Sequence, residues 1–434
     1  MTVGQLLAER AGQGDRPAFV EGATGRAVTW GDVQARATAL AADAPPPGAP
    51  LALRTPDPLD NVATFLAALA ASVPVVPLEP MAAVHAVDPS PPGAAVVMAS
   101  SGTTGRPKTI ALTEAQLLHT AGAVVAHHRL SADDRGYCPL PLFHINALVV
   151  GVLSTLVAGS TLVVDRRFSR RTFWTTVATH DVTWVNAVPA IIALLAETPA
   201  PDPAVARRIR FVRSASAPLA PAVRARFEAH CGIGILETYG MTEAASQITA
   251  NPIEAADRRP GSVGRPVGVA LRVVSSDGTP CPPGQVGEVE IRGPAVATTP
   301  AGGWLATADL GRLDADGFLY LAGRADDVIN RGGEKVYPGD VEAVLLADPR
   351  VAAAAVVGRA HPVFGDEPVA FVVPGGGRVD RHRLAAELAL RCQSSLSRFK
   401  VPAQISVVDA LPAGPTGKVR RRDVRRTLVQ RSSS

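Results

Sequence analysis

Lysine is nearly absent from this chain. Of 43 basic side chains in 434 residues only four are lysine, Lys108, Lys335, Lys400 and Lys418, and the rest are arginine. Where a generic positive charge serves, the chain uses a guanidinium. The four exceptions are therefore candidates for places where a compact ammonium must reach a phosphate or a developing oxyanion. Aromatics are scarce too, at 4%, so the cores must be built from Ala, Val and Leu. The four cysteines, Cys138, Cys231, Cys281 and Cys392, lie far apart without CxxC or Cys/His metal spacing. With no secretory leader ahead of them, they point to a reduced, cytoplasmic setting. Only Ile145 to Val164 is uncharged for the length of a membrane span, and it carries Asn146, Ser154, Thr155, Gly159, Ser160 and Thr161. It reads as a buried helix, a Gly-Ser turn and a strand, and no membrane partner is expected. The formal charge of +4 is spread along the chain, with no long basic run outside Arg420 to Arg426. That argues against nucleic acid, and Arg425 and Arg426 are expected on the solvated face of a terminal helix.

The length fits roughly two to four domains. With 47% hydrophobic and 19% charged residues, and only 39 Gly and 38 Pro, the composition is that of a folded chain rather than a low-complexity one. From Thr2 to Ala99 short apolar strands (Ala18 to Val20, Leu51 to Leu53, Pro74 to Leu78) alternate with helical stretches (Gly31 to Ala42, Leu59 to Ala71). This is an α/β layer pattern. It continues to Gly240, with strands expected at Thr161 to Val164, Val182 to Asn186, Arg210 to Arg213 and Gly234 to Leu236. Between Gly261 and Leu321 short β runs with the turn signals Ser276-Asp277-Gly278 and Asp314-Ala315-Asp316-Gly317 predict a small β-rich, barrel-like subdomain. Beyond Arg324 comes an α+β segment, with helices over Pro338 to Leu346 and Asp380 to Gln393 and strands over Ala352 to Val357 and Pro368 to Val373. The expected fold is α/β: a large N-terminal domain of several subdomains, residues 1–324, and a small α+β C-terminal domain, residues 325–434.

The segment Ser100-Ser101-Gly102-Thr103-Thr104-Gly105-Arg106-Pro107-Lys108 joins two expected strands, Ala94 to Ala99 and Thr109 to Leu112. It has the parts of a phosphate cradle: glycines that let backbone N–H groups approach, hydroxyl donors, and a lysine. It is not a Walker loop, because Pro107 separates the second glycine from Lys108 and a strand rather than a helix follows.

Taken with Glu237-Thr238-Tyr239-Gly240-Met241-Thr242-Glu243, Thr307-Ala308-Asp309, Gly323-Arg324 and Pro415-Thr416-Gly417-Lys418, this loop resembles the adenylate-forming superfamily of acyl-CoA synthetases, adenylation domains and luciferases. The motifs stand in that family's order over nearly the whole chain. The resemblance implies an AMP-forming ligase that turns a carboxylic acid into an acyl-adenylate and passes it to the thiol of CoA. A carrier protein's phosphopantetheine arm, or an amine receiving the adenylate of an acid or of a small oxyanion such as nitrite, stay open as alternatives. ATP, Mg²⁺ and CoA or phosphopantetheine are the implied cofactors, and a small carboxylic acid the implied substrate.

The same resemblance implies the site residues. Ser101, Gly102, Thr103, Thr104, Gly105 and Lys108 would grip the phosphates, and Glu243 would be the Mg²⁺ carboxylate with Thr242 at the α-phosphate. Tyr239 and Gly240 would face adenine opposite Ser216, Ala217 and Pro218. Asp309, supported by Arg324, would hold the ribose, although Ala308 replaces the family's usual glycine. Lys418 would stabilise charge during adenylation from the small domain. That domain would rotate about a hinge at Asp326 and bring Gly332 and Gly333 to the site as a pantetheine channel. His144, in Pro141-Leu142-Phe143-His144, would gate thiol entry. Ile145, Asn146, Asn186, Val188, Ser214, Ala245 and Ser246 would line the acyl pocket, and no aspartate stands where amino-acid-activating members anchor the amine. Arg213-Ser214-Ala215-Ser216 and Asn330 to Lys335 are similar to the oxalate-activating branch, but Ala245 and Ser246 occupy the region of that branch's histidine. The family region between Pro80 and Ser100 is shortened, which implies a trimmed member.

Overall fold

A computed structural model describes residues 1–46, 48–79, 90–100, 108–297, 303–375, 379–413 and 419–432. Its centre is a nine-stranded sheet in the order Arg265–Pro266, Ser246–Ala250, Ile235–Met241, Phe211–Ser214, Trp184–Ala187, Arg135–Cys138, Thr161–Val164, Pro17–Glu21, Ala27–Thr29. The six strands from Ile235–Met241 to Pro17–Glu21 are parallel. Parallel strands are covered on both faces, which is why Thr161–Val164 and Trp184–Ala187 are buried at every residue.

A second sheet runs Leu51–Leu53, Val75–Pro77, Val96–Ser100, Lys108–Leu112, the last two forming an antiparallel hairpin with Ser100 opposite Lys108. The strand–loop–strand frame expected around the phosphate loop is thus present, while residues 101–107 lie outside the described residues. Helices start where the sequence supplies caps. Thr29 with Asp32 and Thr113 with Gln116 form capping boxes, and Asp57 caps the helix that opens with Pro58. One apolar cluster, rich in Val, Ala and Leu, packs against both sheets.

The uncharged stretch after His144 is helical and buried, as expected, but its first part, Ala147–Leu153, is a π-helix that passes into an α-helix at Ser154–Ala158. Gly159 then closes the helix at φ 67° ahead of the strand Thr161–Val164. π-turns are rare and concentrate at functional sites. This one begins directly after Asn146.

The β-rich subdomain is an antiparallel meander of Ala270–Val274, Gly287–Arg292, Leu305–Leu313 and Leu319–Arg324. Its pairing order is linear, so among the described residues it is a sheet curled by bulges near Glu288 and Leu310 rather than a closed barrel. A separate C-terminal sheet comprises Glu334–Val336, Ile329–Arg331, Gly365–Pro374 and Val351–His361, with Gln404–Val407 beside Gly365–Pro374. Helices Pro338–Leu346 and Arg381–Ser395 cover its own apolar core. The terminal helix, Arg421–Ser432, has the expected solvated face at Arg426, which is exposed, but Arg421 and Arg425 also make inward ion pairs. Arg421 forms a bidentate pair with Glu342 at 2.6 and 2.8 Å, and Arg425 reaches Asp327 at 3.3 Å. Asp327 lies just past Arg324 and Glu342 on the helix Pro338–Leu346, so Arg421 and Arg425 tie the terminal helix to the rest of the C-terminal unit.

Candidate active site

The parallel order sends the C-terminal ends of Arg135–Cys138, Trp184–Ala187, Phe211–Ser214 and Ile235–Met241 to one edge of the large sheet. Loops leaving such an edge form the crevice in which open α/β sheets bind ligands. Here they carry His144 and Asn146, Val188, Ser216 to Pro218, and Met241 to Ala244. Several of the residues singled out in the sequence are brought to this edge by the topology.

On one side stand the residues proposed for the nucleotide. Asp309 pairs in register with Arg324 across the meander. The Tyr239 hydroxyl donates to Asp309 Oδ2 at 2.5 Å and Arg324 Nη1 donates to Asp309 Oδ1 at 3.3 Å. Burial, and then the neighbouring Asp309 carboxylate, push the Tyr239 hydroxyl well above the ordinary tyrosine range, so it stays a proton donor. Tyr239 is also a core residue of the β subdomain, packed with Ala244, Ile248 and Val289. Gly240 sits at a bulge where an added Cβ would lie 1.5 Å from the Ser246 carbonyl oxygen, so no other residue fits there. Ser216 and Pro218 are exposed and Ala217 half-buried, on the loop after Phe211–Ser214.

Backbone strain concentrates in the same place. Of the seven non-glycine residues with positive φ among those described, four are Ser216 at 71°, Ala245 at 50°, Ser246 at 103° and Ala308 at 58°. Ala308 therefore adopts the conformation for which glycine is the usual choice, and the loop geometry survives the replacement. Strain of this kind persists where surrounding structure holds it, most often at functional sites.

Glu243 lies on the short turn Thr242–Ala244, which is fixed from three directions. The Ala297 N–H donates to the Glu243 carbonyl at 2.7 Å, the Thr120 hydroxyl reaches the Ala244 carbonyl at 3.4 Å, and strand Lys108–Leu112 packs on the turn. The phosphate hairpin therefore ends against the residue expected to hold the metal. Among the described residues no group of three His, Cys, Asp or Glu side chains is arranged to hold a metal. Mg²⁺ keeps most of its shell from phosphates and water, so a single carboxylate such as Glu243 can serve it.

The other side is polar in its depth. Arg213 is fully buried and its guanidinium meets only amide oxygens: Asn146 Oδ1 at 2.9 Å, Asn186 Oδ1 at 3.0 Å, and Gln247 Oε1 at 3.1 and 3.3 Å. Burial pushes Arg213 down to about 9, which leaves it charged at neutral pH. Asn146 Nδ2 in turn donates to Ser216 Oγ at 3.4 Å, joining this floor to the nucleotide loop. His144, its ring tilted 49° against Phe143 at 4.4 Å, is pushed down to about 4 by burial and is neutral at neutral pH. The sequence reading had Asn146, Asn186, Ser214 and Ser246 in this pocket but gave no site role to Arg213 or Gln247. The available signals were a charged residue ending an expected strand and its place in Arg213-Ser214-Ala215-Ser216.

Gly332 and Gly333 are the central pair of a tight hairpin between Ile329–Arg331 and Glu334–Val336, with φ of 60° and 92°. They are exposed, in the C-terminal sheet rather than at the strand ends. Ser101, Gly102, Thr103, Thr104, Gly105 and Lys418 lie outside the described residues, as does the side chain of Lys108.

The model of the AMP-binding enzyme family matches residues 82–299, and that of the AMP-binding enzyme C-terminal domain matches residues 340–418. The chain belongs to the AMP-binding enzyme family. It is an AMP-forming, adenylate-forming enzyme of the acyl-CoA synthetase type. Its relatives include the sulfoacetate–CoA ligase of Cupriavidus necator, 42% identical over 81% of this chain and 70% of that protein. The oxalate–CoA ligase of Arabidopsis thaliana is 37% identical over 79% of this chain and 69% of that one. Among solved structures, ATP-bound MatB from Rhodopseudomonas palustris superposes with a TM-score of 0.87 at 26% identity, over 98% of this chain and 99% of that one. The o-succinylbenzoate CoA synthetase of Bacillus subtilis, bound to its acyl-adenylate, gives 0.83 at 27% identity over 97% of both chains. The whole α/β architecture, large domain and small, is that of these enzymes. Among the described residues no helix is long and apolar enough to cross a membrane.

Proposed function

We propose that the chain is an acid–CoA ligase acting in two half-reactions at the edge of the large sheet. A carboxylate oxygen of the acid attacks the α-phosphorus of ATP and pyrophosphate leaves; the thiol of CoA then attacks the acyl carbon and AMP leaves. Asp309 accepts hydrogen bonds from the ribose hydroxyls, with Tyr239 and Arg324 fixing its two oxygens. Ser216, Ala217 and Pro218 border adenine. Glu243 holds Mg²⁺, which when bound draws charge from the phosphates. Thr242 contacts the α-phosphate, the 101–108 hairpin grips the β and γ phosphates, and Lys418 balances the charge that shifts between oxygens as the anhydride forms.

Residues 1–324 serve as the core and 325–434 as the domain that turns. Asp327, held by Arg421 at 3.4 Å and Arg425 at 3.3 Å, belongs with the small unit, which supports a pivot at Asp326. Neutral His144 borders the acyl pocket, and the Gly332-Gly333 hairpin carries the pantetheine arm after rotation. The two positive φ values suit a thin channel beside backbone.

The observation that carries this reading is the meeting of the Tyr239–Asp309–Arg324 group, the Glu243 turn and a polar acyl floor at the ends of four parallel strands. The test is a panel of aliphatic, aromatic and dicarboxylic acids, scored for pyrophosphate release and hydroxylamine-trapped adenylate, first without CoA and then with it. The reading fails if no acid gives pyrophosphate. It gives way to carrier loading or amine transfer if adenylates form but CoA never discharges them.

A further inference from the structure

A buried charge is tolerated when it is paired, and Arg213 is not paired with an acid. Its side chain is sealed from solvent, its partners are the neutral amides of Asn146, Asn186 and Gln247, and among the described residues no carboxylate bridges to it. An unpaired buried ion is costly to a fold, and a buried guanidinium is normally met by a carboxylate or phosphate in bidentate geometry. Guanidinium offers five N–H donors. Four of them are taken by amide oxygens, leaving one on Nη2, the edge that faces Gln247.

The surroundings are short of acceptors in the same sense. The Gln247 Nε2 donor, on the amide whose oxygen receives Arg213, is buried and unpartnered, as are Ser214 Oγ and His144 Nε2. Gln247 and Ser214 are each at most 2% exposed. The floor of the acyl side thus carries the Arg213 charge and the unmatched Gln247 Nε2 donor, on strands Phe211–Ser214 and Ser246–Ala250.

We propose that this cluster recognises a second acidic group on the substrate, so that the acid activated here is a short dianion, a dicarboxylate or sulfonated carboxylate, rather than a neutral monocarboxylate. The proposal rests on the acid-ligase reading and names its substrate class. One acidic group supplies the oxygen that attacks the α-phosphorus. The other supplies the acceptors that Arg213 Nη2 and Gln247 Nε2 lack. Asn146, which accepts from Arg213 and donates to Ser216, keeps this anchor at a fixed place relative to the nucleotide loop.

The test compares each short dianion with its neutral isostere in pyrophosphate release: oxalate with pyruvate, malonate with acetoacetate, sulfoacetate with methylsulfonylacetate. The unaltered chain should favour the dianion of at least one pair by about 100-fold in kcat/KM, the scale of a buried charge contact. Arg213→Met should cut that ratio by about 100-fold, and Arg213→Lys should restore part of it, whereas a purely structural role would lower both members of a pair together. Should the Met variant fail to fold, the unaltered chain still decides, and thermal protection by the dianion but not its isostere is the second readout. Equal use of dianions and isosteres overturns the anion site and leaves acid activation standing. No pyrophosphate with any acid overturns acid activation, and the anion site with it.

Discussion

Lowering the pH from 7 to 5 should weaken the large domain through its buried histidines. His144 is held at about 4 by burial, against 6.5 for an ordinary histidine. A depressed folded-state value means that the unfolded chain binds the proton first. The stability this group supplies is complete above about 6.5 and is lost as the pH falls towards 4. Integrated from pH 7 to pH 5, one such histidine costs about 2 kcal/mol. His128, wholly buried and lowered by burial and then by the charges of Arg213 and His127, acts in the same direction, and so does His127. Asp165 and Glu237, raised by burial, act with the opposite sign, so the wild-type curve alone does not isolate the histidines. Comparison with His144→Asn does.

Urea unfolding can be followed through Trp184, which lies 6.0 Å from Phe211, itself 5.4 Å from the His128 ring. The unaltered chain should lose about 2 kcal/mol more than His144→Asn between the two pH values. If both lose the same amount, His144 is not folded in its neutral form, and its assignment as a buried neutral gate falls with it.

Four further outcomes are expected. Asp309→Asn replaces charge-assisted hydrogen bonds to the ribose by neutral ones and should raise KM for ATP about 10- to 100-fold with a smaller change in kcat; an unchanged KM in pyrophosphate release removes Asp309 from the ribose site. Ala308→Gly relieves a left-handed alanine worth ~1–2 kcal/mol and gives back about 0.4–1 kcal/mol of chain entropy, so the melting temperature should rise slightly, and a fall would contradict the φ of 58°. Glu243→Gln should move the Mg²⁺ titration of adenylate formation to higher concentration, and a superimposable curve counts against a metal role. Lys418→Ala should suppress adenylation far more than thioester formation from preformed adenylate; equal loss in both steps refutes the division of labour.

Local chemistry was legible in the sequence and long-range pairing was not. The strands Leu51–Leu53 and Thr161–Val164 and the helix Pro338–Leu346 fall where apolar runs, a Gly-Ser turn and an N-terminal proline put them. The strand expected at Gly234 to Leu236 instead runs Ile235–Met241, because Thr238 to Met241 pair across a bulge with Ser246–Ala250. That partner is fixed by the turn between them, and no periodicity in the strand announces it. The division of the N-terminal strands between two sheets is likewise a property of the assembled core. The π-helix at Ala147–Leu153 has the same apolar run as an α-helix and differs only in how its backbone closes.

Arg213 shows most sharply where sequence reasoning stops. In a chain that uses arginine for almost every positive charge, Arg213 stands out only as part of the run Arg213-Ser214-Ala215-Ser216 that is similar to the oxalate-activating branch, and nothing in that run says what its guanidinium meets. Its meaning comes from register. Pairing of Phe211–Ser214 with Trp184–Ala187 sets Arg213 directly opposite Asn186, and the turn after Gly240 returns Gln247 to the same guanidinium. Three amides brought together from distant segments solvate a cation without neutralising it. Among the described residues the fold thereby keeps a charge without a counter-acid beside the place proposed for the substrate, which is a reason for the arginine that packing alone does not supply.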